Sequence, residues 1–128
     1  MRLGVVRGSV VLSLATPELT GLRLAIVEPI VRESLEKRGG HPGLPSSSLG
    51  GGKPLIAADQ LGAAEGQVVA FIEGRTAASP FWPDKVPVDA YCTLIADTIE
   101  FHGAGDRPLP PAAGGTERRR SQSRKPNQ

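Results

Sequence analysis

Cysteine is nearly missing from these 128 residues. Cys92 stands alone, so no internal disulfide can staple the chain. Aromatic rings are scarce as well: three Phe, one Trp and one Tyr. Small barrels that hold single-stranded nucleic acid use rings as stacking platforms in a positive groove, and this chain has few rings and few basic residues before its last quarter. No apolar run approaches the roughly 20 residues a membrane helix needs. The opening Met-Arg-Leu-Gly-Val-Val-Arg-Gly is broken by Arg7 and has no secretory apolar core, so a soluble, intracellular protein without a membrane role is expected.

The formal charge is +2, but its placement matters more than its size. Arg118, Arg119, Arg120, Arg124 and Lys125 crowd the end of the chain, leaving residues 1–102 near neutral or slightly acidic. From 103 onward the sequence is rich in Gly, Pro and charge, with no aliphatic residue larger than alanine after Leu109. Such a segment cannot bury enough apolar surface to offset its ordering entropy, which predicts a disordered basic tail over 103–128. The tail reads as a solubilising extension, with an acidic partner or nucleic acid as the sharper alternative. The stretch 32–53 is dominated by Gly, Ser and charged residues and reads as a long loop. About 80 residues are then left to form a core, which is marginal for a lone domain and makes oligomerisation a natural remedy.

Strand signals fill those residues. Leu3–Ser13 is valine-rich with Gly4 and Gly8, the pattern of a bent or bulged strand. After a turn at Thr16–Gly21, Leu22–Glu28 alternates, with Leu22, Leu24 and Ile26 on one face, and Pro29 marks its end or an exposed edge. Pro54–Asp59 is a third strand, Asp59–Gly66 a turn-forming connection, and Gln67–Glu73 a fourth strand apolar on both faces. Gly74–Ala78 offers a single helical turn cut off by Pro80. Asp89–Asp97 is a fifth strand that Ile99 and Phe101 could extend. Five short strands with Gly and Pro at the corners predict an all-β, small five-stranded OB-like barrel with a short helical turn. Val69, Phe71 and Ile95 call for a second cover, with a partner subunit preferred over the Arg75–Ala78 turn.

Catalytic chemistry finds no foothold. His41 and His102 sit in Gly-flanked surroundings with nothing to orient them, and Cys92 lies mid-strand, where a small buried residue is expected. No Cys/His cluster has metal-ligand spacing. Ser48–Lys53 resembles a phosphate loop only superficially: Ser47 occupies the place of the motif's first glycine, and Pro54 follows the lysine. Gly62–Gly66 joins two strands, so it is no dinucleotide fingerprint. Asp89 and Asp97 lie too far apart along one strand for a catalytic dyad. The expectation is a non-enzyme with no cofactor and no metal.

Four ordered blocks resemble the EutN/CcmL family of microcompartment vertex proteins. Met1–Val11 resembles that family's first strand and Gly21–Val27 its "G-x-K-L-L" second strand. Ala58–Val69 is similar to its "A-D-x-x-G-A-G-x-G-x-x-V" block, and Gly74 and Arg75 follow. Pro87–Ala90 through Ile95–Asp97 resembles its "P-V-D-A-x-V-x-x-I-x-D" ending. Ala64 replaces a usual glycine, the loop 32–53 is longer than typical, and the tail is extra. The resemblance implies a cyclic homopentamer that caps the five-fold vertices of a polyhedral shell, whose facets are hexameric shell proteins, in the bacterial cytoplasm. Asp59, Gly62, Gly66 and Arg75 are the candidate subunit or shell contacts. The rival is a monomeric OB-type nucleic-acid binder using the basic tail.

Overall fold

A computed structural model describes residues 1–38 and 48–102. Five strands form a closed barrel in the order β1-β2-β3-β5-β4. They are β1 (Arg2–Val10), β2 (Arg23–Pro29), β3 (Leu55–Asp59), β4 (Val68–Glu73) and β5 (Ala90–Ala96). Neighbours are antiparallel except β3 and β5, which run parallel and meet through the single pair Ala58–Tyr91. The β1–β2 register shifts between Val6 and Gly8, the bulge that the glycine spacing predicts.

A five-stranded barrel has a narrow lumen, and the sequence fills it with small side chains. Val6, Ala25, Val27, Ala57, Ala63, Val69, Ala90 and Cys92 surround Phe71, the largest buried residue. Gly4 belongs to this packing. A Cβ there would strike the Val27 side chain and the Phe71 ring, so the lumen admits only hydrogen at that point. In β2 the core face is Ala25 and Val27, and the more conspicuous Leu24 and Ile26 lie on the outer face.

Four expectations are corrected. The stretch 32–53 is not simply a loop: Arg32–Arg38 forms a helix, α1, steadied by an Arg32–Glu36 ion pair one turn apart. Beyond it, Gly51 bridges to Ile30 and Leu49 is buried. Second, Val69 and Phe71 need no outside cover, because they face the lumen. The outward partners Val5 and Val68 pack with Leu49 in a second cluster, flanked by Leu3, Ile30, Leu35, Ala96 and Ile99. The chain thus roofs part of its own outer wall, while Leu94 and Ile95 stay 40% and 37% exposed. Third, Pro80 does not end the helical turn at Ala78, since a 3-10 helix runs from Gly74 through Phe81 and buries Ala77. Fourth, Ile99 and Phe101 do not extend β5; Ile99 instead packs on the second cluster. Residues 39–47 of the expected loop and the whole expected tail, 103–128, lie outside the described residues.

Candidate functional site

At the end of β3 the chain must turn sharply, and Asp59 governs how it does so. Its carboxylate accepts the Leu61 amide at 2.9 Å on Oδ1 and the Ala63 amide at 2.9 Å on Oδ2. Arg23, opposite it on β2, donates to Oδ2 at 2.7 Å. The Asp59 side chain has no exposed surface, and half-exposed Arg23 shields it. Its charge is therefore engaged within the subunit, where it draws Ala63 into the core. Gly62 and Gly66 take the left-handed φ values of 75° and 86° that this path requires. The Gly66 amide then donates to the Val6 carbonyl at 2.7 Å, and Val6 donates back to Gln67 at 2.9 Å, tying the loop to the β1 bulge. Ala64 stands where the family pattern has glycine, but it has no positive φ, so alanine fits this turn without strain.

Asp59, Gly62 and Gly66 thus share one loop. Arg75 does not join them. It is exposed at the start of the 3-10 helix that follows β4, and β4 begins where β3 ends, so Arg75 stands at the opposite end of the barrel.

Sequence reasoning missed a second polar assembly. Arg7 donates to Glu28 at 2.7 Å and to the Leu49 carbonyl at 2.6 Å. Glu28 also accepts the Gly51 amide at 2.8 Å, and the Ser34 hydroxyl donates to the Gly50 carbonyl. These bonds strap the 48–52 segment and α1 over the outer face of β1 and β4. The Arg7 guanidinium, aided by the Gly51 amide, holds the Glu28 carboxyl below its usual range. The available signal was a charged residue among apolar neighbours in each of two strands, Arg7 in β1 and Glu28 in β2.

An open groove of about 170 Å³ lies on the outer face of β2 and β3, lined by Leu19, Leu24, Ile56, Ala58, Pro87, Val88 and Asp89. Asp89 is its one titratable group, and a lone carboxylate supplies no acid–base pair. Among the described residues no group of three His, Cys, Asp or Glu side chains could hold a metal. Burial, with Asp59 nearby adding to it, pushes the Cys92 thiol up to about 11, far from a reactive thiolate. The conspicuous surface features are apolar: Val11 and Leu14 are over 90% exposed, with Leu61, Leu94 and Ile95 partly so.

Comparison with known proteins places these features in context. A family model described as "Ethanolamine utilisation protein EutN/carboxysome" matches residues 1–97. Among solved structures, CcmL of Gloeobacter violaceus is 28% identical with a TM-score of 0.62, over 79% of this chain and 90% of that one. The GrpN pentameric microcompartment shell protein of Rhodospirillum rubrum is 25% identical with a TM-score of 0.59, over 79% and 99%. EutN of Escherichia coli shares the fold at 24% identity and a TM-score of 0.59, over 83% and 93%. A search of curated proteins finds no match.

Proposed function

We propose that this chain, which belongs to the EutN/CcmL family, is a structural subunit of a bacterial microcompartment shell, five copies of which form a ring that caps a five-fold vertex. The observation that carries this reading is the family match across residues 1–97, which contain every strand of the barrel. The described surface is consistent with it. It is apolar in separate places, and its groove is equipped for packing rather than for turnover. A protein of this kind works by shape, so the reading assigns it no catalytic activity and no cofactor. Its remaining partners are hexameric shell proteins that form the facets, and its place is the shell in the bacterial cytoplasm.

Within this reading, residues 1–102 are the assembling unit and 103–128 an accessory basic tail. The Asp59–Gly66 loop and Arg75 meet neighbours at different ends of the barrel. In the loop the contact is made by the outer surface that Gly62 and Gly66 shape, with Asp59 as its internal brace. Native mass spectrometry tests the proposal: the expected species carries five chains of 13.4 kDa each. A stable monomer at micromolar concentration would overturn it.

A further inference from the structure

Ile56 is the large apolar side chain that β3 leaves in solvent: it is 44% exposed, while Ala57 and Ala58 beside it are buried. It lines the open groove of about 170 Å³ with Leu24 and Ala58, to which the β1–β2 connection adds Leu19 and the approach to β5 adds Pro87, Val88 and Asp89. The Asp89 backbone is fixed, because its carbonyl accepts the Gly74 amide at 2.9 Å. Its carboxylate is different. The residue is exposed, and among the described residues no hydrogen bond or ion pair engages that group. The groove therefore offers aliphatic surface beside one uncompensated negative charge.

An occupant of matching chemistry is apolar and carries a cation at one end. Of the two stretches outside the described residues, 39–47 and 103–128, only the second joins prolines and a leucine to an arginine, in Arg107-Pro108-Leu109-Pro110-Pro111. Leu109 is the last aliphatic residue larger than alanine in the chain. Three prolines restrict the backbone before any contact is made, so seating these residues costs less conformational entropy than seating an ordinary tail segment. The prolines also lack the amide donors that an aliphatic groove leaves unsatisfied.

The length of chain suffices. Ile99 packs with Val5 and Val68 on the outer face of β1 and β4, and the described chain ends at His102. From that face to the wall of β2 and β3 is two strand spacings around the barrel, roughly 10 Å. The eight residues from Ile99 to Arg107 span up to about 26 Å when extended, which leaves slack to pass the strap.

We infer that residues 107–111 seat in this groove of their own chain, with Pro108, Leu109 and Pro110 against Leu24, Ile56 and Ala58 and the Arg107 guanidinium toward Asp89. The seat lies within one subunit, so it does not depend on how many chains assemble.

The test uses the full-length chain in the assembly it forms. Leu109→Cys is labelled with excess maleimide, and Gly115→Cys supplies the rate of a tail thiol beyond the seat; cysteine keeps the anchor small and apolar. Cys92 is buried and stays silent in the folded protein. The expected result is labelling at residue 109 about fivefold slower than at residue 115, which corresponds to a seat filled about four-fifths of the time. Adding Ile56→Asp or Asp89→Arg, both at exposed positions, should raise the rate toward that of residue 115, with folding verified by circular dichroism. Equal rates at 109 and 115 without a groove substitution overturn the inference. A slow residue 109 that neither groove variant releases also overturns it, since the segment then lies elsewhere. The source of the segment is read from Pro87→Cys with Ala112→Cys, bridged with a short bismaleimide and resolved under denaturing conditions. A looped single chain is expected, whereas joined chains place the segment in a neighbouring copy's groove and overturn the seat within one chain.

Discussion

Replacing Asp59 with alanine removes, in one step, the acceptor of three hydrogen bonds of 2.7 to 2.9 Å. Two of the donors are backbone amides of the 59–66 loop, and Ala63 is fully buried. Hydrogen bonds to a charged group contribute about 1.5–3 kcal/mol each, and an amide orphaned inside the protein cannot recover that from water. Arg23 counts for less, because its side chain is 39% exposed and can return to solvent. The buried Ala63 amide carries most of the loss and the part-buried Leu61 amide less, together about 3 kcal/mol, on the order of 15 °C in Tm for a domain of this size. Asp59→Asn keeps one carbonyl acceptor but turns an NH2 group toward other donors, so about half the loss is expected. Thermal and urea unfolding should be compared at one fixed protomer concentration, because assembly raises apparent stability by mass action. A loss below about 1 kcal/mol for Asp59→Ala would refute the view that this carboxylate holds the loop in place.

Two further outcomes follow from the geometry. Glu28 has a folded-state pKa below its unfolded value of about 4.3. Its stabilising contribution is therefore complete above the unfolded pKa and lost as pH falls through the folded one. Glu28→Gln should flatten the stability profile between neutral pH and pH 3, and an unchanged acid slope would show that the Arg7 strap carries no linkage. Gly4→Ala forces a methyl group against Val27 and Phe71, with an expected loss of about 1–3 kcal/mol read from the urea midpoint at unchanged m-value.

Legibility in the sequence followed the range of the interactions. The β1 bulge announced itself through Gly4 and Gly8, and the Asp59–Gly66 turn through an Asp and two glycines, because both are set by backbone requirements a few residues long. Helix α1 was hidden by its neighbours: Arg32–Arg38 has ordinary helix formers, but averaging over 32–53 diluted them with glycine and serine. Leu49 sits in the glycine-rich stretch, so nothing local marked it as the roof of Val5 and Val68. The Arg7–Glu28 pair spans 21 residues and becomes visible only once the β1–β2 register is known. Apolar residues on both faces of β4 do not by themselves require a partner, because the lumen takes Val69 and Phe71 and the strap takes Val68.

That division bears on how the barrel can associate. A lumen lined mainly by Ala and Val buries little surface, which is why a unit of this size needs a second source of apolar contact. The strap is one source, and it carries a consequence. By laying Leu35, Leu49 and Ile30 over β1 and β4 and locking them with Arg7 and Glu28, it takes that wall away from any neighbouring subunit. The exposed aliphatics among the described residues, Met1, Val11, Leu12, Leu14, Ile56, Leu61, Leu94 and Ile95, belong to neither buried cluster. The described parts of the β2–β3 connection, Arg32–Arg38 and 48–52, thus complete the subunit's own packing, because they cover the outer face of β1 and β4 from within the same chain.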